Sequence, residues 1–368
     1  MKAKKIIISG GGTGGHIFPA IAIANALKKL DPDTEILFVG ALGRMEMEKV
    51  PAAGYKIIGL DIQGIQRKSI LKNIQFPIKL INSVRKALQI IKDFKPDAAV
   101  GVGGYASGPL LYAASIKGIP YLIQEQNSYA GITNKWLGNK AKEVCVAYDG
   151  MEKFFPKSKI IKTGNPIRKD SVDIAGKHMH ALELFKLDSD KKTILITGGS
   201  LGARTLNNSV FNGLDKIIAA DVQVIWQTGN VYYKGITEKL GEDYHPNIRI
   251  MKFLNRMDLA YAAADVIISR AGAGTIAELC VVKKPVILVP SPNVAEDHQT
   301  KNALALLHDN AAVFMADRDA EEKLIDKALE LLKDKSKQKT LSENIGKLAL
   351  PNADEVIAKE VMKITINN

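Results

Sequence analysis

The chain has 368 residues, of which 46% are hydrophobic and 24% charged, and its formal net charge is +12. This is the composition of a globular protein, and the length favours two α/β domains over one. The positive charge favours an anionic partner, but there is no arginine-rich tract and no alternation of aromatic and basic residues, so nucleic acid is not expected as a partner.

Residue patterning disfavours two further classes of protein. No apolar run reaches about 18 residues, so we expect no membrane-spanning helix, and the N-terminus shows no signal-peptide pattern. The only cysteines, Cys145 and Cys280, stand in apolar surroundings without metal-ligand spacing. We expect both to be buried free thiols in a reducing compartment.

The chain begins with a predicted strand at residues 5–8, a glycine-rich turn at 9–16 and a helix from Pro19. Glycine adopts positive φ at little cost and lets a ligand approach the backbone closely. The N–H groups of such a turn, with a helix N-terminus behind them, suit a phosphate or diphosphate. The alternative is a tight turn that needs glycine for steric reasons alone. His16 ends the turn.

The same arrangement recurs three times, which favours the phosphate interpretation. Glycine-rich turns at 103–109, 198–204 and 270–275 each follow a predicted strand and precede a helix. Alternating strands and helices predict parallel sheets with right-handed crossovers. The pattern restarts after turn residues near 164, where we place a domain boundary. The prediction is two nucleotide-binding-type α/β domains facing across a cleft.

Polar side chains follow several predicted strands of the first domain. In open α/β sheets the ligand lies outside the carboxyl ends of the strands, so we expect His16, Tyr105, Glu125 and Asn127 to converge there. No P-loop and no nucleophile elbow is present. The second predicted strand, ending at Val39, is not followed by an acidic residue placed for a ribose, which disfavours hydride transfer.

The second domain holds further candidate ligand residues. Glu278 lies one turn into the helix after Gly274 and could accept hydrogen bonds from two ribose hydroxyls, or merely stabilise the helix N-terminus. Gln299 and Asn302 are three residues apart on one predicted helix face, where their amides suit sugar hydroxyls or helix capping.

Three Asp-x-Asp triplets, beginning at Asp31, Asp188 and Asp317, could in principle hold a divalent ion. All three fall in predicted turns or helix starts, where Asp is a common capping residue. We therefore predict no metal site.

Residues 62–92 interleave apolar and basic side chains. The apolar members are Ile62, Ile65, Ile70, Leu71, Ile74, Phe76, Ile78, Leu80 and Ile81, and the basic members are Arg67, Lys68, Lys72, Lys79, Arg85 and Lys86. Such a stretch favours contact with an anionic lipid surface. An ordinary amphipathic helix packed on the sheet, with a solvated cationic face, is the alternative.

Five segments in order closely resemble the MurG family of bacterial glycosyltransferases, over nearly the whole chain. They are residues 11–19 (GGTGGHIFP), 125–127 (EQN), 164–168 (GNPIR), 198–203 (GGSLGA) and 297–303 (DHQTKNA). One departure is Ala271, where many relatives have serine, and it puts one phosphate contact in doubt. The resemblance implies a GT-B fold, with two Rossmann-like domains formed by residues 1–164 plus a C-terminal helix at 351–368, and by residues 165–350.

The resemblance also implies the activity. The expected reaction is inverting transfer of N-acetylglucosamine from UDP-N-acetylglucosamine (UDP-GlcNAc) to the 4-hydroxyl of the muramyl unit of lipid I. The product would be lipid II, for peptidoglycan synthesis. The resemblance also implies that the protein is bound peripherally at the cytoplasmic face of the bacterial cell membrane. It implies no metal or other cofactor.

Site residues follow from the resemblance by position. The second domain would bind the donor, with the backbone near Leu254 at uracil and Glu278 at the ribose. The residues at the diphosphate would be Arg168, Ser200, Gly272, Ala273, Gly274 and Thr275. Gln299 and Asn302 would contact the sugar, to which Asn127 would reach across the cleft. The first domain would hold lipid I, with its diphosphate on Thr13, Gly14 and Gly15 and near Tyr105. For the base that activates the acceptor hydroxyl, His16 is the first choice, because an unperturbed imidazole titrates near 6.5, and Glu125 is the second.

Three other functions remain open at this point. A diacylglycerol glycosyltransferase shares the architecture and a membrane acceptor, although the segment at 299–302 favours an N-acetylglucosamine donor. A UDP-N-acetylglucosamine 2-epimerase has the same domain plan but would not need the basic and apolar stretch at 62–86. A non-catalytic nucleotide-sugar binder would bind UDP-GlcNAc without turning it over.

Overall fold

The computed structural model describes residues 3–64 and 75–366, and it divides into two compact units. Unit 1 comprises Met1–Ile167 and Leu350–Asn368, and unit 2 comprises Arg168–Ala349. The division falls three residues beyond the boundary expected at 164. The final segment of the chain belongs to unit 1.

Unit 1 is built on a seven-stranded parallel sheet in the order β3-β2-β1-β4-β5-β6-β7. Its strands are β1 (Lys5–Gly10), β2 (Glu35–Ala41), β3 (Lys56–Leu60), β4 (Ala98–Gly103), β5 (Tyr121–Glu125), β6 (Glu143–Val146) and β7 (Ile160–Lys162). Its first helices are α1 (Gly14–Leu30), α2 (Glu46–Ala52), α3 (Phe76–Phe94), α4 (Ser107–Ile116) and α5 (Ile132–Gly138).

Unit 2 has a six-stranded parallel sheet in the order β10-β9-β8-β11-β12-β13. Its strands are β8 (Thr193–Thr197), β9 (Gln223–Gln227), β10 (Ile248–Met251), β11 (Val266–Ser269), β12 (Val286–Leu288) and β13 (Val313–Phe314). Its helices are α6 (Lys169–Val172), α7 (His178–Phe185), α8 (Arg204–Asn212), α9 (Leu214–Ala219), α10 (Tyr233–Leu240), α11 (Met257–Ala263), α12 (Ala273–Val282), α13 (His298–His308), α14 (Asp317–Lys333) and α15 (Lys335–Lys347). The last helix, α16 (Ala353–Ile366), returns to unit 1.

Helices cover both faces of the sheet in unit 1. Ile6, Ile7 and Ile8 of β1 are all fully buried, as expected for a parallel strand packed on two sides. Ile7 packs into the core beneath α3, α4 and α5, whereas Ile6 and Ile8 face the core that α1 and α16 cover. Alternate residues of this continuous apolar run thus contribute to two hydrophobic cores, one on each face of the sheet.

Four strands were not predicted from the sequence. β3, β6, β7 and β13 are five, four, three and two residues long. Short apolar runs of this kind do not distinguish a strand from a buried turn or helix end. The other predicted strands are confirmed, as are the parallel sheets.

The four glycine-rich turns lie in pairs at equivalent positions of the two sheets. β1 neighbours β4 in unit 1, and β8 neighbours β11 in unit 2. In this strand order the connections diverge to opposite faces between those two strands, which opens a crevice at their carboxyl ends. Each unit therefore has a pair of glycine-rich turns at its own switch point.

Both cysteines are buried free thiols, which confirms that expectation. Cys145 lies in β6 and Cys280 in α12. Burial raises the pKa of the Cys280 thiol to about 12 and that of Cys145 further still. Both thiols therefore stay protonated and unreactive at neutral pH.

Candidate active site

A buried carboxylate holds the first glycine-rich turn from beneath. Glu46, at the start of α2, is 1% exposed, and its two oxygens accept hydrogen bonds from the N–H of Gly12 at 2.8 Å and of Ala41 at 3.0 Å. A Cβ at Gly11 would lie 2.2 Å from Glu46 Oε1, so a side chain there would displace this carboxylate from its hydrogen bonds. The sequence pattern did not single out this residue, which follows the end of β2 at Ala41 by five residues. Because both of its oxygens accept from backbone N–H groups, Glu46 is not placed for a ribose.

His16 is fixed in one orientation on the same turn. Its Nδ1 lies 3.0 Å from the carbonyl oxygen of Gly11 and 3.5 Å from Thr13 Oγ1. Because a carbonyl only accepts, Nδ1 carries the proton, and the lone pair of the neutral ring lies on Nε2. The ring rests on Gly103, where an added Cβ would lie 2.6 Å from His16 Cδ2.

The second glycine-rich turn packs directly on the first. Gly104 has φ +93°, and a Cβ there would lie 2.4 Å from the carbonyl oxygen of Gly11. Tyr105 is 45% exposed, and its ring borders Gly12. The guanidinium of Arg44, a cation that was not predicted as a site residue, lies 5.7 Å from the centre of that ring. His16 and Tyr105 therefore lie on two glycine-rich turns that pack against each other.

Glu125 lies at the end of β5, but its carboxylate is buried and fully engaged. Oε1 accepts from the N–H of Asn127 at 3.1 Å and from its side-chain amide at 3.4 Å. Oε2 accepts from the N–H of Gly131 at 3.0 Å and from Asn134 Nδ2 at 2.8 Å. With 3% of the residue exposed, this arrangement orients the loop that carries Asn127 and does not suit the base role considered for Glu125.

The third glycine-rich turn, residues 198–203, leads into α8 of unit 2. Gly199 and Gly202 have φ of +84° and +83°, and the N–H of Gly202 donates to the carbonyl of Gly199 at 3.0 Å. Ser200 is exposed at the top of this turn. The turn packs against the chain after β9, where a Cβ at Gly229 would lie 2.1 Å from the nitrogen of Gly202.

Glu278 occupies a nearly enclosed position one turn into α12, near the fourth glycine-rich turn. Its carboxylate lies 3.5 Å from Arg168 Nε, and the hydroxyl of the buried Tyr261 donates to it at 3.3 Å. Burial raises the pKa of Glu278, and Arg168 and Tyr261 offset part of that rise. The structure therefore brings together Arg168 and Glu278, two residues expected at the donor.

The two amide residues of α13 are more enclosed than expected. Gln299 accepts a hydrogen bond through Oε1 from the N–H of Ser291 at 2.9 Å, which directs its amide nitrogen away from that contact. Asn302 is fully buried. Leu254, whose backbone was expected at the nucleobase, is 3% exposed, and its N–H donates to Gln227 Oε1 at 3.2 Å.

A cavity of about 730 Å³ runs along the edge strand β10 of unit 2. Phe185, Tyr233, Arg249, Phe253 and Leu254 are among its lining residues. Arg168 and Glu278 do not line it, whereas Leu254 of the loop after β10 does.

Comparison with known proteins identifies the family. Residues 6–146 match the glycosyltransferase family 28 N-terminal domain, and residues 193–357 match the family 28 C-terminal domain. Two bacterial relatives are both named UDP-N-acetylglucosamine–N-acetylmuramyl-(pentapeptide) pyrophosphoryl-undecaprenol N-acetylglucosamine transferase. The Parabacteroides distasonis protein is 57% identical over 364 residues, covering 99% of both chains, and the Bacteroides thetaiotaomicron protein is 59% identical over 367 residues, covering 99% of this chain and 98% of the relative. The crystal structure of Acinetobacter baumannii MurG superposes with a TM-score of 0.79 at 30% identity, covering 98% of this chain and 99% of that one.

The chain belongs to the MurG family. This membership confirms the resemblance drawn from the five sequence segments, and the chain is a glycosyltransferase with the GT-B fold of two Rossmann-like domains. Ala271, where this member of the MurG family departs from many others, is fully buried just before α12.

The Asp-x-Asp triplets of this MurG-family chain serve local structure. The N–H groups of Asp33 and Asp190 donate to Asp31 and Asp188, at 3.1 and 2.9 Å, and Asp317 pairs with Arg270. Within residues 3–64 and 75–366, no group of three or more His, Cys, Asp or Glu side chains is placed to hold a metal ion.

Helix α3 carries the described part of the apolar and basic stretch. Ile78, Leu80 and Ile81 are 63%, 36% and 53% exposed, and we call these three residues the α3 patch. Two members of the stretch instead pack inward, since Ile62 is 5% exposed and Phe76 contacts the core. The other members of the stretch lie outside the described residues; they are Ile65, Arg67, Lys68, Ile70, Leu71, Lys72 and Ile74. No helix among residues 3–64 and 75–366 is long and apolar enough to span a bilayer.

Proposed function

We propose that the protein transfers N-acetylglucosamine from UDP-GlcNAc to the 4-hydroxyl of the muramyl unit of lipid I, with inversion, to give lipid II. The observation that carries the proposal is the similarity, along almost the entire chain, to the two bacterial N-acetylglucosamine transferases named above. The pair of glycine-rich turns at each switch point adds physical support, because both substrates contain a diphosphate and such turns suit one.

In this proposal unit 2 binds the donor. Glu278 accepts hydrogen bonds from the ribose hydroxyls, and Arg168 and Ser200 join the backbone of Gly272, Ala273, Gly274 and Thr275 at the diphosphate. Gln299 and Asn302 contact the sugar. The N–H of Leu254 is bonded to Gln227, so its carbonyl is the group suited to the N3–H of uracil. That contact would disfavour cytosine, whose N3 is an acceptor.

Unit 1 binds lipid I and supplies the base. The acceptor diphosphate lies on Thr13, Gly14 and Gly15, with Tyr105 beside it. Nε2 of His16 takes the proton of the acceptor hydroxyl, whose oxygen bonds to C1 of N-acetylglucosamine while the bond from C1 to the UDP oxygen breaks. Glycine-turn N–H groups and Arg168 stabilise the charge that develops on UDP. No metal or other cofactor is part of the proposal.

The proposed location is the cytoplasmic face of the bacterial cell membrane, bound peripherally. The α3 patch supports it, because exposed isoleucines beside the exposed cation Arg85 suit the interface of an anionic bilayer. Lys79 contributes less free charge than the sequence suggested, because its ammonium group lies 2.9 Å from the carboxylate of Asp61. Lys86 keeps its charge, although its ammonium group donates to the carbonyl of Gly59 at 2.7 Å.

The direct test is transfer of labelled N-acetylglucosamine from UDP-GlcNAc to a short-chain lipid I analogue in the presence of a chelator. We expect labelled disaccharide product. UDP release on diacylglycerol vesicles without transfer to the analogue would indicate a lipid glycosyltransferase. Binding of UDP-GlcNAc with no reaction on either acceptor would indicate a binder.

Donor binding should weaken as pH falls. The pKa of Glu278 is raised by burial, so its carboxylate protonates at a higher pH than usual and can no longer accept both ribose hydroxyls. The effect on the stability of the fold has the opposite sign. A raised pKa of the Glu278 carboxyl stabilises the fold at low pH, and this stabilisation is lost as the pH rises through the raised pKa.

The UDP affinity of the native chain, measured by calorimetry, should fall between pH 7.5 and pH 5. Glu278→Gln should bind about 10-fold more weakly at pH 7.5 and show a flatter profile; an unchanged slope would contradict the role.

Substitution in the α3 patch should weaken membrane binding. Exchanging Ile78 and Ile81 for serine removes two apolar side chains that would enter the membrane interface. We therefore expect the affinity for vesicles containing phosphatidylglycerol to fall about tenfold or more. Co-sedimentation measures it, with thermal stability checked in parallel. Met179→Ser, an equally exposed apolar position in unit 2, is the matched control. Equal binding by the double variant and the control would rule out the patch.

A further inference from the structure

Gln227 connects two backbone segments at the carboxyl edge of unit 2. It is the last residue of β9 and is 4% exposed. Its Nε2 donates to the carbonyl of Gly199 in the third glycine-rich turn at 2.9 Å. Its Oε1 accepts from the N–H of Leu254, in the loop after β10, at 3.2 Å. One side chain thus joins the turn after β8 to the loop after β10, and these two strands lie on either side of β9.

The chain that follows Gln227 reinforces this connection. The N–H of Thr228 donates to the carbonyl of Met251 at 2.9 Å, and the N–H of Asn230 donates to the carbonyl of Ser200 at 3.0 Å. The close approach of Gly229 to Gly202 leaves no room for a side chain. The end of β9 therefore holds both segments in place.

We propose that Gln227 is a positioning residue of the donor site, fixing the spacing between the glycine-rich turn that takes the diphosphate and the loop that takes uracil. This inference rests on the proposed function, in which Ser200 and Leu254 mark those two segments. UDP joins both groups through one ribose, so it gains affinity from binding both segments at once only if their spacing matches. Binding of uridine alone does not depend on that spacing.

An amide is the group that this position requires. It presents one donor and one acceptor, which match the carbonyl of Gly199 and the N–H of Leu254. A carboxylate would set an oxygen against the Gly199 carbonyl, and an aliphatic side chain would leave both backbone groups unpaired.

The same strand offers a matched control. Gln223 begins β9, is 1% exposed and also bonds to backbone through both amide atoms, accepting from the N–H of Asp188 at 2.7 Å and donating to its carbonyl at 2.9 Å. It lies four residues, roughly 13 Å, from Gln227 along the strand. Gln223→Leu therefore reproduces the loss of a buried amide and its two backbone hydrogen bonds, away from the donor site.

The test compares the affinities of UDP and uridine in the full-length native chain, Gln227→Leu and Gln223→Leu, by calorimetry for UDP and ligand-observed NMR for uridine. We expect Gln227→Leu to lose about tenfold in UDP affinity and less than about twofold in uridine affinity, while Gln223→Leu changes neither. Gln227→Glu, which keeps the volume, should show the same selective loss if the leucine variant does not fold.

Three results would overturn the inference. The first is a UDP affinity of the Gln227 variants that stays within about twofold of the native value. The second is a loss of uridine affinity in these variants as large as their loss of UDP affinity. The third is an equal loss of UDP affinity in Gln223→Leu. Failure of the proposed function is distinct, because then the native chain itself would bind no UDP and transfer no sugar. Native transfer combined with unaffected variants rejects only the role of Gln227.

Discussion

Replacing His16 with alanine is expected to lower kcat by about 10²- to 10⁴-fold, the usual contribution of a positioned general base. The reason lies in the ring orientation: Nδ1 donates to Gly11, so Nε2 is the nitrogen that can accept a proton. UDP affinity should stay within about twofold of the native value, because the donor residues belong to unit 2. Steady-state kinetics with a lipid I analogue and calorimetry with UDP measure the two quantities.

His308→Ala is the control for this variant. His308 ends α13, and its side chain is 90% exposed, so its loss should leave kcat unchanged. A loss of UDP affinity that matches the loss of rate in His16→Ala would reject the base role, since it would show a residue needed for binding. A native rate in His16→Ala would reject it as well.

Alanine at Gly229 is expected to destabilise unit 2 by about 2–5 kcal/mol. The backbone there has φ +84°, which costs an L-residue about 1–2 kcal/mol, and the new Cβ would collide with the nitrogen of Gly202 at 2.1 Å, which adds a typical overpacking cost of about 1–3 kcal/mol. In a unit of this size each kcal/mol lowers the melting temperature by about 2–4 °C. We expect a fall of about 10 °C by scanning calorimetry.

Gly235→Ala is the matched control. Gly235 lies in α10, six residues further along the same unit, and a Cβ there meets nothing within 4 Å. Alanine in a helix is favoured over glycine by about 0.5–1 kcal/mol, so this variant should melt slightly higher than the native chain. If Gly229→Ala melted at the same temperature as Gly235→Ala, the tight backbone packing between the two turns would be refuted.

The parts of the site that sequence predicts are those with local signals. A glycine-rich turn between an apolar run and a helix is contained within about 20 residues, and its position is set by the order of strands in a parallel sheet. His16, Tyr105 and Glu278 stand at the ends of such local patterns. Their neighbourhoods were therefore predictable: the turns that carry His16 and Tyr105 pack against each other, and Glu278 lies beside Arg168.

The parts that sequence does not predict depend on partners far along the chain. Glu46 bonds to Gly12 across 34 residues, and Gln227 bonds to Gly199 and Leu254 across 28 and 27. Nothing in the segments around Glu46 or Gln227 distinguishes them from a surface acid or an ordinary strand residue, because their role is set by tertiary pairing. Glu125 shows the converse, since a polar residue at a strand end proved to be fully engaged by its own loop.

The division of the chain also bears on how the protein is made. Unit 2 is an insertion in unit 1, because the chain leaves unit 1 after Ile167 and returns at Leu350. The outgoing and returning segments touch, since a Cβ at Gly164 would lie 2.6 Å from that of Leu350. The returning helix α16 then supplies Ile357 and Val361 to the core on one face of the first sheet.

A ribosome therefore completes the strands of unit 1 long before the helix that covers them. At about 5–20 residues per second, synthesis of unit 2 takes roughly 10–40 s. Throughout that interval Ile6, Ile8 and their neighbours on this face lack the cover of α16. The nascent first unit thus leaves part of an apolar sheet face exposed until the last helix is released, and we expect chaperones that recognise hydrophobic surface to bind it.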